Sequence, residues 1–236
     1  LPAGGNGNSV APWVRADGRF VLFSSSASDL VPGDNGHLGL DVFLRDRASN
    51  STVLVSINLQ GDGGGNDDSI FGMASTNGRY VLFESIASDL VPGDTNEASD
   101  IFVRDLLTGT THLVSVATNG IPGNLGSTDA IMTPDGRYVA FVSAARNLVV
   151  NDTNSIPDVF VRDLVSQTTT RVSVGASQPS NARMEMPVIT PDGRYVAYFS
   201  SARGLVSAPL ASFTGEIYMR DLVSNTTTWV STNAMG

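Results

Sequence analysis

Three stretches of the sequence place carboxylates and amides at spacings that suit a hard cation. One reads Asp94-Thr95-Asn96 and reaches Asp100. A second reads Asp152-Thr153-Asn154 and reaches Asp158. A third sets Asp34 and Asn35 ahead of Asp41. Calcium takes six to eight oxygens, and a tight loop with acidic and amide groups at alternate positions can supply several of them. Asp34, Asp41, Asp94, Asn96, Asp100, Asp152, Asn154 and Asp158 are therefore the candidate Ca2+ ligands. The spacing is not that of an EF-hand, since the central Gly and terminal Glu are missing. The competing reading is turn chemistry: Asp and Asn side chains tie loops together by bonding nearby backbone. The corresponding stretch Ser207–Glu216 lacks the Asp-x-Asn pattern, so whatever the motif does is local to the other three.

Other chemistry is thinner. All 14 basic residues are Arg. Eight of them recur at fixed places: Arg19, Arg79, Arg137 and Arg194 after a Gly, and Arg45, Arg104, Arg162 and Arg220 before an Asp. Repeated Arg and Asp suit bidentate structural ties better than a site. The two histidines, His37 and His112, do not recur, and no Gly-x-Ser-x-Gly elbow accompanies them. No catalytic residue is assigned. The Gly-rich stretch Gly61–Asp68 carries three carboxylates, which oppose phosphate binding. Trp13, Met73, Met132 and Val188, or their neighbours, are candidates for the lining of a central channel. The Asn-x-Thr matches at Asn50, Asn151 and Asn225 read as products of Thr-rich turns.

These residues sit in a repeat. The segments Asp17-Gly18-Arg19, Asn77-Gly78-Arg79, Asp135-Gly136-Arg137 and Asp192-Gly193-Arg194 place their glycines 60, 58 and 57 residues apart. Asn6, Asn66, Asn124 and Asn181 each precede one of those glycines by 12 residues. A second anchor follows in every copy, as in Asp158-Val-Phe-Val-Arg-Asp163. Each copy predicts four strands, a to d. In the third copy these are Ala130–Thr133, Arg137–Ser143, Asp158–Asp163 and Thr168–Val174, with a Gly turn between a and b. Strands b and c are apolar on both faces, so both faces must be covered. An antiparallel sheet covered by copies of itself predicts an all-β fold: a β-propeller of four four-stranded antiparallel blades, about 6–65, 66–123, 124–180 and 181–236, in one domain.

The motifs Thr133-Pro134-Asp135-Gly136-Arg137-Tyr138-Val139-Ala140-Phe141 and Asp158-Val159-Phe160-Val161-Arg162-Asp163-Leu164 resemble the TolB-type WD40-like repeat, often called PD40. The resemblance spans residues 6 to 236. It implies a periplasmic or secreted bacterial protein whose propeller is a binding platform or scaffold. TolB carries an extra α/β domain and a longer propeller, so a role in the Tol system is not implied. Four copies allow a four-bladed ring, a two-chain ring or a fragment of a longer array. The chain opens on strand a and closes on strand d, so no blade is shared between its ends.

Composition bounds the partners. A net charge of −9 with scattered Arg argues against nucleic acid. No run of about 18 apolar residues offers a membrane span. The chain lacks Cys, so no disulfide or thiolate site exists. Leu1 to Gly5 is no signal peptide. In blade topology the b–c and d–a connections share one end, which would gather Asp62, Asp67, Asp94 and Asp152 into an acidic binding face for a protein or small ligand. The expectation is a non-enzymatic extracytoplasmic binding or scaffold propeller, with Ca2+ in its b–c loops as the candidate stabilising ion. Two alternatives stand beside it: an excised or engineered fragment that pairs with a second chain as a homodimeric ring, and a hydrolase with a channel-centred site.

Overall fold

The computed structural model describes residues 4–34, 39–207 and 215–232. His37, Asn35 and the segment 208–214 lie outside the described residues. Sixteen strands and no helix are present among those described. They are β1 (Ser9–Val14), β2 (Phe20–Ser25), β3 (Asp41–Asp46) and β4 (Ser51–Leu54), then β5 (Ser69–Ala74), β6 (Tyr80–Ser85), β7 (Asp100–Asp105) and β8 (Thr110–Leu113). The second half holds β9 (Ser127–Met132), β10 (Tyr138–Ser143), β11 (Asp158–Asp163) and β12 (Thr168–Arg171), then β13 (Met184–Ile189), β14 (Tyr195–Ser200), β15 (Glu216–Asp221) and β16 (Thr226–Trp229). Each group of four forms one antiparallel sheet in sequence order. We refer to them as sheets one to four, with strands a to d. The b and c strands fall where the sequence places them, and strand d is shorter than expected, ending at Arg171 in sheet three.

The chain divides into two compact units, residues 1–114 with sheets one and two and residues 115–236 with sheets three and four. The core of the first unit joins Leu22, Val42 and Leu44 of sheet one to Val81, Phe83 and Phe102 of sheet two. The second unit joins Ala140, Val142, Val159 and Val161 of sheet three to Val196, Tyr198 and Tyr218 of sheet four. Within each unit one face of a sheet thus seals against the other sheet.

The a–b turns are built on glycine for two reasons. Gly193 has φ +73°, a conformation that a Cβ strains. A Cβ there would also stand 2.4 Å from the Tyr138 ring of the preceding sheet. Gly78 repeats both features against Phe20 in the first unit. The turn therefore shapes the hairpin and admits the neighbouring sheet's aromatic ring.

Every strand a carries a register shift against strand b, between Val10 and Trp13, Phe71 and Met73, Thr128 and Ile131, and Glu185 and Val188. Ala11, Asp129 and Met186 sit inside these bulges at φ 54°, 54° and 50°. One extra residue bends the strand and turns its side chains. This shift is invisible in the sequence, and it breaks the simple alternation of side chains along strand a. Met132 is buried, Trp13 packs on the first core, and Val188 is exposed.

Candidate functional site

Eight arginines recur at fixed places in the repeat. In each sheet the Arg after the turn Gly reaches across to the last Asp of strand c with two parallel bonds. Arg19 Nε and Nη2 donate to Asp46 at 3.0 and 2.8 Å. Arg79 does so to Asp105 at 2.9 and 2.6 Å. Arg137 meets Asp163 at 3.2 and 2.9 Å, and Arg194 meets Asp221 at 3.1 and 2.8 Å. Each guanidinium also lies over the ring that follows it, 4.6 to 4.8 Å from the centroid. The same carboxylates accept backbone N–H groups of the c–d turn, from Ala48, Leu107, Val165 and Val223. The arginine bonds hold Asp46, Asp105 and Asp221 well below the usual carboxylate range. The second Arg set bonds strand d: Arg45, Arg104, Arg162 and Arg220 donate to Thr52, Thr111, Thr169 and Thr227. All eight arginines bond partners in their own sheets, and Arg162 also reaches the Ala117 carbonyl of the linker.

The Asp-x-Asn loops are likewise closed on themselves. Asn96 Nδ2 donates to Asp100 at 2.7 Å, while its Oδ1 accepts the Ala98 N–H at 3.0 Å. Asn154 does the same to Asp158 and Ile156, at 2.7 and 3.1 Å. The amide thus acts as a clamp between loop and strand c, and its oxygen serves an Asx turn. Asp158 is fully buried and also accepts the Ser173 hydroxyl. Asp41 accepts Ser56 Oγ at 2.7 Å in the matching place. Asp34 stands at the edge of the described residues.

Sheet three adds a cation of its own. Arg171 Nη1 lies 3.1 Å from Asp152 and 3.6 Å from Asp158. Burial still dominates at Asp158, whose pKa is pushed up to about 6. The register puts Leu113 of sheet two where Arg171 sits, since Leu113 pairs with Phe102 and Arg171 with Phe160, the aromatic residue of each strand c. Asp94 of that sheet is 7% exposed; burial raises its pKa, against the pull of the Asn96 N–H. No group of three or more acidic or His side chains converges as a metal cluster among the described residues.

The b–c and d–a connections do share one end. Asn66 pairs with Asp89 and Ser88, and Leu59 N–H bonds the Asp89 carbonyl at 2.8 Å. Asn6 and Asn124 make the corresponding ties to Asp29 and Asn147. The acidic face expected there is smaller than its sequence suggests. Asp62 and Asp67 are exposed, but Asp94 and Asp152 are buried.

What that end does carry is a cleft. In the second unit a cavity of about 710 Å3 opens between linker residues 117–119, loop residues 147–150 and strand d. Leu148, Val149, Val150 and Val174 give it an apolar wall, with Asn119 and Arg171 at its polar side. Val150 is 89% exposed. The matching position of the first unit holds a smaller cleft of about 300 Å3, lined by Leu59, Leu90, Val91 and Arg104. Sequence reasoning missed both, because their walls come from segments some 25 to 50 residues apart. His112 is exposed on β8 and shares a 3.2 Å contact with Thr110.

Comparison with known proteins places the fold. No family model matches the chain, and no curated protein matches it. Solved structures do. The β-propeller domain of the Trilobed protease from Pyrococcus furiosus aligns with TM-score 0.59 and 11% identity, over 98% of this chain and 59% of that one. Putative TolB from Agrobacterium tumefaciens aligns with TM-score 0.52 and 14% identity, over 92% and 62%. TolB from Acinetobacter baumannii gives 0.51 and 16%, over 94% and 43%. The chain spans less than two thirds of each of these chains. The architecture is an all-β, TolB-like β-propeller fold, with the four sheets as blades.

Proposed function

We propose that this chain is a non-enzymatic binding or scaffold propeller that works outside the cytoplasm. It takes an apolar, extended ligand, a peptide segment, at the loop end of its blades. One observation carries the reading: the recurring charged side chains are consumed by internal ties, while the loop end keeps an open apolar cleft of about 710 Å3. Such clefts with few polar groups are ordinary ligand sites. The extracytoplasmic assignment rests on the resemblance to TolB-type repeats. Calcium remains a proposal for the second blade's loop, where Leu113 stands in place of Arg171. The test is an amide-resolved NMR titration with a panel of extended apolar peptides. Shifts should centre on Thr118, Leu148, Val150 and Thr170, and Val150→Asp should weaken binding about tenfold, or 1.4 kcal/mol. Shifts confined elsewhere, or turnover of peptide or ester substrates, would refute it.

A second reading, assembly with another chain, has its own support. On sheet three Ala140, Val142, Val159 and Val161 are sealed by sheet four. The corresponding row of sheet four, Ala197, Phe199, Ile217 and Met219, is only partly covered, with Ile217 38% exposed. A blade of the same type would fit that row. Light scattering should then give twice the chain mass, reduced to one by Ile217→Asp; a monomer at every concentration rejects it.

A further inference from the structure

Blades one to three carry a phenylalanine pair where strands b and c face each other. Phe23–Phe43, Phe83–Phe102 and Phe141–Phe160 stack with centroids 5.7, 5.5 and 5.8 Å apart. Blade four departs at both positions. Tyr198 and Tyr218 are directly paired across β14 and β15, with centroids 6.1 Å apart and rings tilted by 31°. The two side chains are 1% and 0% exposed, enclosed in the apolar joint with Val142, Val159 and Val161 of blade three. Neither hydroxyl has a hydrogen-bond partner among the described residues.

Three copies of the repeat show that Phe fills this place. Adding two hydroxyls to a sealed apolar joint costs the desolvation of both, unless each finds a partner. Buried phenols normally do. The two are cross-strand neighbours on one face, yet neither serves the other. Arg220 lies two residues beyond Tyr218, hence on the same face, and is 8% exposed. Its terminal nitrogens bond the neutral Thr227 and Asn225, at 3.2 and 3.4 Å, and its Nε is buried without a partner. Arg104 and Arg162 share that Nε feature, so the tyrosines are what set this joint apart. Burial raises the pKa of Tyr198, which keeps the phenol protonated. The joint therefore offers hydrogen-bond donors beside a buried positive charge, and what complements it is a small acceptor.

We propose that Tyr198 and Tyr218 share one small enclosed acceptor, a water molecule or a halide ion, within the joint between blades three and four. A shared acceptor couples the two residues. Once either hydroxyl is gone, losing the other matters less.

Two measurements test this. Crystals of the full chain grown in sodium bromide should show density within hydrogen-bonding reach of both hydroxyls. An anomalous peak there identifies a halide and an ordinary peak a water; hydroxyls bonded to protein atoms with no density between them overturn the proposal. In solution, Tyr198→Phe, Tyr218→Phe and the double variant restore the pair of the other blades and so keep the fold. Their melting-temperature shifts should be non-additive, the double shift differing clearly from the sum of the single ones. Additive shifts overturn the shared site.

Discussion

Replacing Phe83 by Ala tests the packing that defines a unit. Phe83 is wholly buried between sheets one and two and stacks on Phe102 at 5.5 Å. It packs with Leu22, Val42 and Leu44 in the core of the first unit. Truncating a buried Phe costs about 3–5 kcal/mol, since the surrounding rows relax only partly. The partners here are β-strand side chains fixed by two ladders, so collapse around the gap is limited. With a urea slope of roughly 2 kcal/mol per molar, the unfolding midpoint should fall by about 1.5–2.5 M. The two tryptophans provide separate probes: Trp13 packs on the first core and Trp229 on the second. In a Trp229→Phe background, the fluorescence of Trp13 reports the unit that carries the substitution. A fall of less than about 0.5 M, equivalent to under roughly 1 kcal/mol, would mean that the two sheets are not sealed through this ring.

Three further outcomes follow from the structure. Gly193→Ala combines φ strain with a 2.4 Å approach to the Tyr138 ring, whereas Gly33→Ala, at φ +81° with nothing within 4 Å, meets the strain alone; Gly193→Ala should cost more than Gly33→Ala, whose cost is about 1–2 kcal/mol, and equal losses in denaturant titrations would refute the close packing. Asp158 has a folded pKa of about 6 against an unfolded value near 3.8. Its protonated form is therefore favoured by folding, and the stability this adds is full below about pH 4 and lost as pH rises through 6. Wild-type melting temperature should fall relative to Asp158→Asn between pH 4 and 7, and parallel curves would contradict the buried-carboxyl reading. Calcium should raise the melting temperature of the wild type by a few degrees and leave Asp94→Asn unmoved; no shift in the wild type removes the ion from the second blade.

The sequence by itself determined the repeat. Glycines at intervals of 57 to 60 residues, and an Asp–Arg-Asp frame around strand c, are local patterns that write out four copies of one sheet. The pairing of Arg137 with Asp163 could be foreseen because both belong to one copy, where hairpin register brings them together. The Asn96–Asp100 clamp was half legible: the loop was recognised, but an amide can present oxygen to a cation or nitrogen to a carboxylate, and only the fold selects the second. Burial was not legible. Asp94 and Asp152 read as surface charge, yet both are covered. Nor could the sequence reveal that Arg171, one residue from the end of a Thr run, would lie beside Asp152 and Asp158. The cleft walls, the bulges of strand a and the enclosed tyrosine pair of blade four all arise where one copy meets its neighbour or bends against itself. Periodicity specifies what each copy is; packing between copies decides which of its side chains water can still reach.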